Sequence, residues 1–146
     1  MFRGNAPARI DDKGRLKVPN AFRALLESKY GRELFLTSLS GEHVRVYPMP
    51  VWLEIEQKLG AMPSTHPARQ RFLDRINYFG SAGELDSQGR VLIPLRLRES
   101  ATMTGDVDVL GVYNYLDVWN HDRFLNKLQR DAYTDEDAKA LSEFGI

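Results

Sequence analysis

Asp11-Asp12-Lys13-Gly14-Arg15-Leu16-Lys17-Val18-Pro19 decides the reading of this chain, because its pattern returns 75 residues later as Asp86-Ser87-Gln88-Gly89-Arg90-Val91-Leu92-Ile93-Pro94. Both copies run Asp, two polar residues, Gly, Arg, apolar, any residue, apolar, Pro. At average residue frequencies, a chance recurrence in a chain of this length has a probability on the order of one in ten thousand. The chain is an internal duplication, and whatever the motif does is done twice.

Each copy reads as a tight turn between strands. Ala8-Arg9-Ile10 leads into residues 11–14, and Leu16 and Val18 then alternate with polar neighbours, with Gly14 available for a positive φ. Asp11 or Asp12 can accept hydrogen bonds from the backbone N–H groups of that turn. Pro19 opens a short helix whose apolar side is Phe22, Leu25 and Leu26, extending to Tyr30, with Gly31 as its stop. Residues 34–36 and 44–47 predict two more strands joined at Ser40-Gly41, and Pro50 begins a helix carrying Trp52, Ile55 and Leu59.

The second half repeats this order. A helix opens at Pro94, strands follow over 107–112 and 116–119, and Asn120 caps a helix with Phe124 and Leu128 four apart. Val44-x-Val46-Tyr47 thus corresponds to Leu116-x-Val118-Trp119, and Trp52 to Phe124. Between the halves, Phe72, Ile76 and Phe79 predict a linking helix over 67–79. Thr134-Asp135-Glu136-Asp137 fits a capping box, followed by a last helix with Leu141 and Phe144 or by a loose tail.

A half of about 50 residues removes only a modest fraction of its apolar surface from water and would be marginal alone, so the halves are expected to share one core. No window approaches the roughly 18 consecutive apolar residues of a membrane span, and the first residues carry no secretory pattern. With no cysteine, disulfides and thiolate metal sites are excluded. A cytoplasmic location is the expectation. The net charge of zero hides an asymmetry: residues 1–29 carry seven Lys/Arg against three Asp/Glu, and residues 106–146 carry four against nine.

Little in the chain points to catalysis. His43, His66 and His121 show no metal-ligand spacing, and phosphate-binding loops and nucleophile elbows are absent. Asp11 and Asp86 as a general acid–base pair would require a pocket of which the sequence gives no sign. No enzyme activity, cofactor or metal is expected. Turn chemistry alone accounts for the Asp and Gly of the motif. It does not require the Arg, whose planar fork suits phosphate oxygens or guanine O6 and N7. Arg3, Arg9, Lys13, Lys17 and Arg23 surround the first copy. On a strand, Lys13, Arg15 and Lys17 project from one face while Leu16 and Val18 join the core, as a β-ribbon lying in a DNA groove requires. The second copy has Gln88 and Leu92 in place of Lys13 and Lys17, so less phosphate neutralisation is expected of it.

Met1-Phe2-Arg3-Gly4, the first motif with Phe22-Arg23 behind it, Tyr47-Pro48-Met49-Pro50-x-Trp52 and the second motif together resemble the MraZ family of bacterial transcriptional regulators. Either Asp-x-x-Gly-Arg alone would indicate only the broader AbrB/SpoVT-like class. The resemblance runs from residue 1 to about 130 and leaves the acidic tail uncovered. The resemblance implies an α+β, mainly β fold: tandem SpoVT/AbrB-like units interlocked as a double-split β-barrel with swapped hairpins and short peripheral helices. Unit 1 is placed at 5–51, linking helices at 52–79, unit 2 at 80–126 and an acidic C-terminal helix or tail at 127–146.

The resemblance also implies that Asp11/Arg15 and Asp86/Arg90 are the paired signature of a DNA-binding surface. DNA contacts are then expected from Arg15, Lys13, Lys17, Gly14, Arg3, Arg90 and Gly89, with Asp11 and Asp86 orienting the arginines. The implied partners are double-stranded DNA, as direct repeats upstream of the division and cell-wall gene cluster, and further copies of the chain in a nucleoid-associated ring. No membrane or small-molecule substrate is implied. An antitoxin-like protein-interaction scaffold is the alternative, and a complete second unit favours the regulator.

Overall fold

The two halves do not stand side by side; their hairpins exchange places around one barrel. The computed structural model describes residues 1–146. In the first half come β1 (Phe2–Ile10), β2 (Arg15–Lys17), α1 (Asn20–Leu25) running into a π-helical turn (Leu26–Tyr30), β3 (Glu33–Thr37), β4 (Val44–Pro48), α2 (Met49–Gly60) and α3 (Pro67–Phe79). The second half has β5 (Ser81–Glu84), β6 (Arg90–Leu92), α4 (Leu95–Ser100), β7 (Gly105–Tyr113), β8 (Tyr115–Asn120), α5 (His121–Arg130) and α6 (Asp135–Ser142).

The strands form one antiparallel sheet in the order β5-β3-β4-β8-β7-β1-β2-β6. It curls into a nearly closed barrel, the Asp86 N–H donating to the Arg90 carbonyl at 2.9 Å as Asp11 donates to Arg15 in the first hairpin. Every hairpin has its outer neighbours in the other half. β1 pairs with β7 along its whole length, β2 with β6, β3 with β5 and β4 with β8. This is the mainly β, swapped-hairpin architecture that the resemblance implied.

The register exposes an approximate twofold axis. Leu16 lies opposite Val91, and Arg45 opposite Asp117. Each pair joins residues that correspond between the halves, so the axis passes through both. Strand alternation then sorts the faces. Leu16, Val91, Leu34, Leu36, Val44, Val46, Leu116 and Val118 point into the barrel and are all but free of solvent. On the outside, α2 and α3 cover the sheet through Tyr47, Val51, Trp52 and Ile76. At the axis, Arg45 Nε donates to Asp117 at 2.9 Å. Neither half has a core of its own.

Helix ends follow local chemistry. His66 caps α3 by accepting from the Ala68 N–H, Asn120 caps α5 by accepting from the Arg123 N–H, and Thr134 with Asp137 forms the reciprocal capping box of α6. The linking helix occupies the expected 67–79. β1 begins at Phe2, ahead of residue 5, because that ring is buried against Phe22 and Tyr30. α5 continues past 126 to Arg130. Helix α6 forms, and Leu141 and Phe144 remain exposed. No helix is long and apolar enough to cross a membrane.

Leu16 is the core residue on which the two motif copies meet. Leu16→Ala is expected to destabilise the protein by about 2–5 kcal/mol through lost transfer energy and a cavity. Chemical denaturation checks this, and an unchanged midpoint would contradict the shared core.

Candidate nucleic-acid interface

Asp11 organises the first turn with both carboxylate oxygens. Oδ1 accepts from the backbone N–H groups of Lys13 (3.0 Å) and Arg15 (2.9 Å), and Oδ2 accepts from Arg15 Nε (2.7 Å). Asp86 repeats this with Gln88 N, Arg90 N and Arg90 Nε, each at 2.9 Å. Asp11, and not the exposed Asp12, is thus the turn's acceptor. Gly14 (φ +82°) and Gly89 (φ +75°) supply the left-handed residue that closes each turn. The carboxylate holds each guanidinium by its Nε edge. The Nη nitrogens of Arg15 and Arg90 have no acceptor within the protein. A fork fixed at its root with two free prongs is a ready anion or base-edge ligand.

The donors around each carboxylate also set its titration. The Arg15 backbone N–H is the chief cause that holds Asp11 below the usual carboxylate value, against an opposing effect of burial. In the same way the Arg90 backbone N–H, with the Arg90 side chain and the Gln88 N–H adding to it, brings Asp86 down to about 2.

Cross-half pairing brings the two turns together. The Val18 N–H donates to the Gly89 carbonyl (2.9 Å) and the Ile93 N–H to the Gly14 carbonyl (3.0 Å), extending the β2–β6 ladder into both turns. Arg15 lies opposite Leu92, and Lys17 opposite Arg90. Since Leu16 and Val91 point inward, Arg15, Lys17, Arg90 and Leu92 share the outward face of a two-stranded ribbon. Arg15 and Arg90 are diagonal neighbours on it, at a spacing of roughly 7–8 Å. Lys17 and Leu92 are exposed, and the two arginine side chains are 28% and 27% exposed. Exposed Lys13 and Gln88 stand in the turns at its opposite ends.

Two bracing residues complete the arrangement. A side chain at Gly14 would collide with Arg98 Cδ at 2.4 Å, and one at Gly89 with Arg23 Cδ at 2.7 Å. Each arginine comes from the helix that follows the opposite motif. Both glycines are buried, so their missing side chains admit these arginines and do not open backbone to a ligand. Arg32 adds a further bond, Nη2 to the Asp86 carbonyl at 3.1 Å. Arg23 and Arg98 extend the sequence repeat to Pro-x-x-apolar-Arg, a signal legible by carrying the alignment four residues further.

The remaining residues of interest lie elsewhere. Arg3 is exposed on β1 opposite Val112, seven residues before Ile10 and so about 23 Å along the strand from the first turn. His43 stacks on Trp119 at 4.5 Å, His66 caps α3, and His121 bonds Asp108 at 2.7 Å. No three His, Cys, Asp or Glu residues come together as a metal site.

Comparison with known proteins agrees with this architecture. A family model described as "MraZ protein, putative antitoxin-like" matches residues 1–75 and 81–144, so the acidic tail falls inside its extent. The chain is similar to the transcriptional regulator MraZ of Acidobacterium capsulatum, 49% identical over 146 residues and all of both chains. It is 48% identical over 147 residues to that of Koribacter versatilis and 38% over 151 to that of Herpetosiphon aurantiacus, again over all of both chains.

A lowered carboxylate pKa stabilises the fold above the ordinary value of 3.8, and that contribution is lost as pH falls through about 2. Because the largest cause is a backbone N–H, Arg90→Ala is expected to leave Asp86 titrating well below 3.8. Carboxyl-carbon NMR checks this; a return to the ordinary value would mean that the guanidinium, and not the turn, sets the acidity.

Proposed function

The chain belongs to the MraZ family of transcriptional regulators, and from that premise we propose that the β2–β6 ribbon is its DNA-reading face. The supporting observation is the placement of Arg15, Lys17 and Arg90 on one outward surface with Lys13 in the adjoining turn. Arg15 and Arg90 contact base edges or phosphate through their free Nη groups, Lys13 and Lys17 contact phosphate, and Asp11 and Asp86 orient the arginines. Gly14 and Gly89 contribute by turn shape. Arg3 contacts DNA only where the duplex runs on along β1. The relatives carry a regulator's name, in keeping with a non-enzymatic role.

The finer reading concerns target and assembly. The protein binds direct repeats upstream of the division and cell-wall gene cluster as a nucleoid-associated homo-oligomeric ring. Units over 5–51 and 80–126 form each DNA-binding protomer, joined by linking helices over 52–79, with 127–146 outside the barrel. One ribbon offers few cations and binds a single short repeat weakly. A ring closed by heterologous contacts presents ribbons to successive repeats about one helical turn, roughly 34–36 Å, apart. Tethering then raises affinity through effective concentration.

The interaction-scaffold alternative is supported by exposed apolar side chains on the C-terminal helices, Leu125 and Leu128 on α5 and Leu141 on α6. Within the regulator reading, these helices carry contacts between copies.

Arg15→Ala is expected to weaken binding to the protein's own upstream DNA by about 1–3 kcal/mol with the oligomer intact. Electrophoretic shift and sizing by light scattering check the two halves of that statement, and unchanged affinity would remove Arg15 from the interface. Lys17→Ala is expected to flatten the slope of log K against log salt by about one unit; an identical slope would mean that Lys17 meets no phosphate.

A further inference from the structure

The two bracing arginines occupy equivalent places and differ in what holds their charge. Arg23, lying over Gly89, donates through Nε to Glu27 (3.0 Å) and through Nη2 to the Ser87 carbonyl (3.1 Å). Arg98, lying over Gly14, has no such partners. Its Nε is buried without an acceptor, it forms no ion pair, and where Glu27 follows Arg23 by four residues, Thr102 follows Arg98. Local backbone accounts for the difference. The helix after the first motif continues through a π-helical turn that carries Glu27, whereas α4 ends at Ser100 and Thr102 turns away at φ +52°. Thr102 is then engaged with Arg123, whose Nη1 donates to its hydroxyl at 3.2 Å.

The sealed Nε is out of an anion's reach, whereas the Nη groups of Arg98 also lack an acceptor within the protein and are not sealed, so they are the donors an arriving anion would engage. Arg98 is half-buried, its stem pressed against Gly14, the residue between Lys13 and Arg15. We propose that Arg98 is a further DNA-contacting residue, donating to backbone phosphate at the first-turn end of the ribbon. Arg23, neutralised by Glu27, only braces the second turn. The proposal rests on the ribbon being the DNA face. It makes the two ends of a pseudo-symmetric surface unequal: Lys13, Arg15 and Arg98 at one end face Lys17, Arg90, Gln88 and a neutralised Arg23 at the other. A direct repeat has polarity, and an unequal ribbon has a preferred orientation on it.

The test is the salt dependence of binding by the full-length chain to the duplex upstream of its own gene, for Arg98→Met, Arg98→Lys and Arg15→Ala. Methionine and lysine both keep a long stem over Gly14, and only lysine keeps the charge. Arg98→Lys is expected to retain the parent slope of log K against log salt, and Arg98→Met to flatten it by about 0.9 unit. An unchanged slope in Arg98→Met overturns the proposal. If Arg15→Ala still loses affinity in that case, the DNA face stands without Arg98; if Arg15→Ala also binds normally, the reading of the face itself fails. A second arm leaves Arg98 untouched. Glu27 also stands 3.9 Å from Arg32, so Glu27→Gln is made in an Arg32→Met background; it then releases Arg23 alone and is expected to steepen the slope toward one further phosphate contact. No steepening would overturn the claim that a carboxylate is what separates the two arginines, even if Arg98→Met does not fold.

Discussion

The antiparallel pairing of β2 with β6 is the constraint on which the rest of the molecule depends. It is short, three residues on each strand, and is lengthened by the reciprocal bonds from Val18 to Gly89 and from Ile93 to Gly14. Leu16 and Val91 meet inside it on the approximate twofold axis. The same ladder completes the barrel and sets Arg15, Lys17 and Arg90 on a single outward surface. Fold and proposed interface are therefore one object: a sequence change that opened the ladder would separate the two turns and open the core together.

Charge is handled locally and not by net excess. A chain of zero net charge has little long-range attraction for a polyanion, so its cations must be concentrated and held in place. The Asp-Arg pairs meet that need at a cost, since each carboxylate offsets one positive charge on the face it organises. What they provide is geometry. An arginine loses side-chain entropy on binding, and one whose Nε is already fixed has less to lose. The low titration of Asp86, about 2, keeps that clamp ionised well into the acid range, where an ordinary carboxylate would be protonated.

Most of the strands were legible in the sequence because they are amphipathic or strongly apolar. Residues 34–36, 44–47 and 116–119 show this, and Asn120 and Thr134 announced their helices by ordinary capping chemistry. β5 was not legible. Ser81-Ala82-Gly83-Glu84 has little strand propensity, and it is a strand because β3 offers it a ladder and because Leu36 and Val91 close over Gly83. The choice between Asp11 and Asp12 was likewise hidden, since either can reach a turn N–H, and only the fold puts Arg15 Nε on the first. Periodicity also could not say that the two turns lie on one ribbon; the family resemblance implied only a paired signature on one surface, and the shared ribbon is visible in the cross-half register. The bracing by Arg23 and Arg98 is a contact between residues more than 60 positions apart, and no local pattern encodes it. The tail shows the opposite case: its cap was legible, whereas the exposure of Phe144 depends on what packs there, which sequence spacing does not determine.

The central claim, that both motif turns face the same ligand, is tested most directly by site-directed photocrosslinking, for which a chain without native cysteine is well suited. Lys13→Cys and Gln88→Cys, each labelled with an aryl azide and bound to the upstream duplex, are expected to attach to DNA within one helical turn, about 34 Å, of each other on the same repeat. Attachment at Lys13→Cys with none at Gln88→Cys, or at neither position, would contradict a single DNA-reading ribbon.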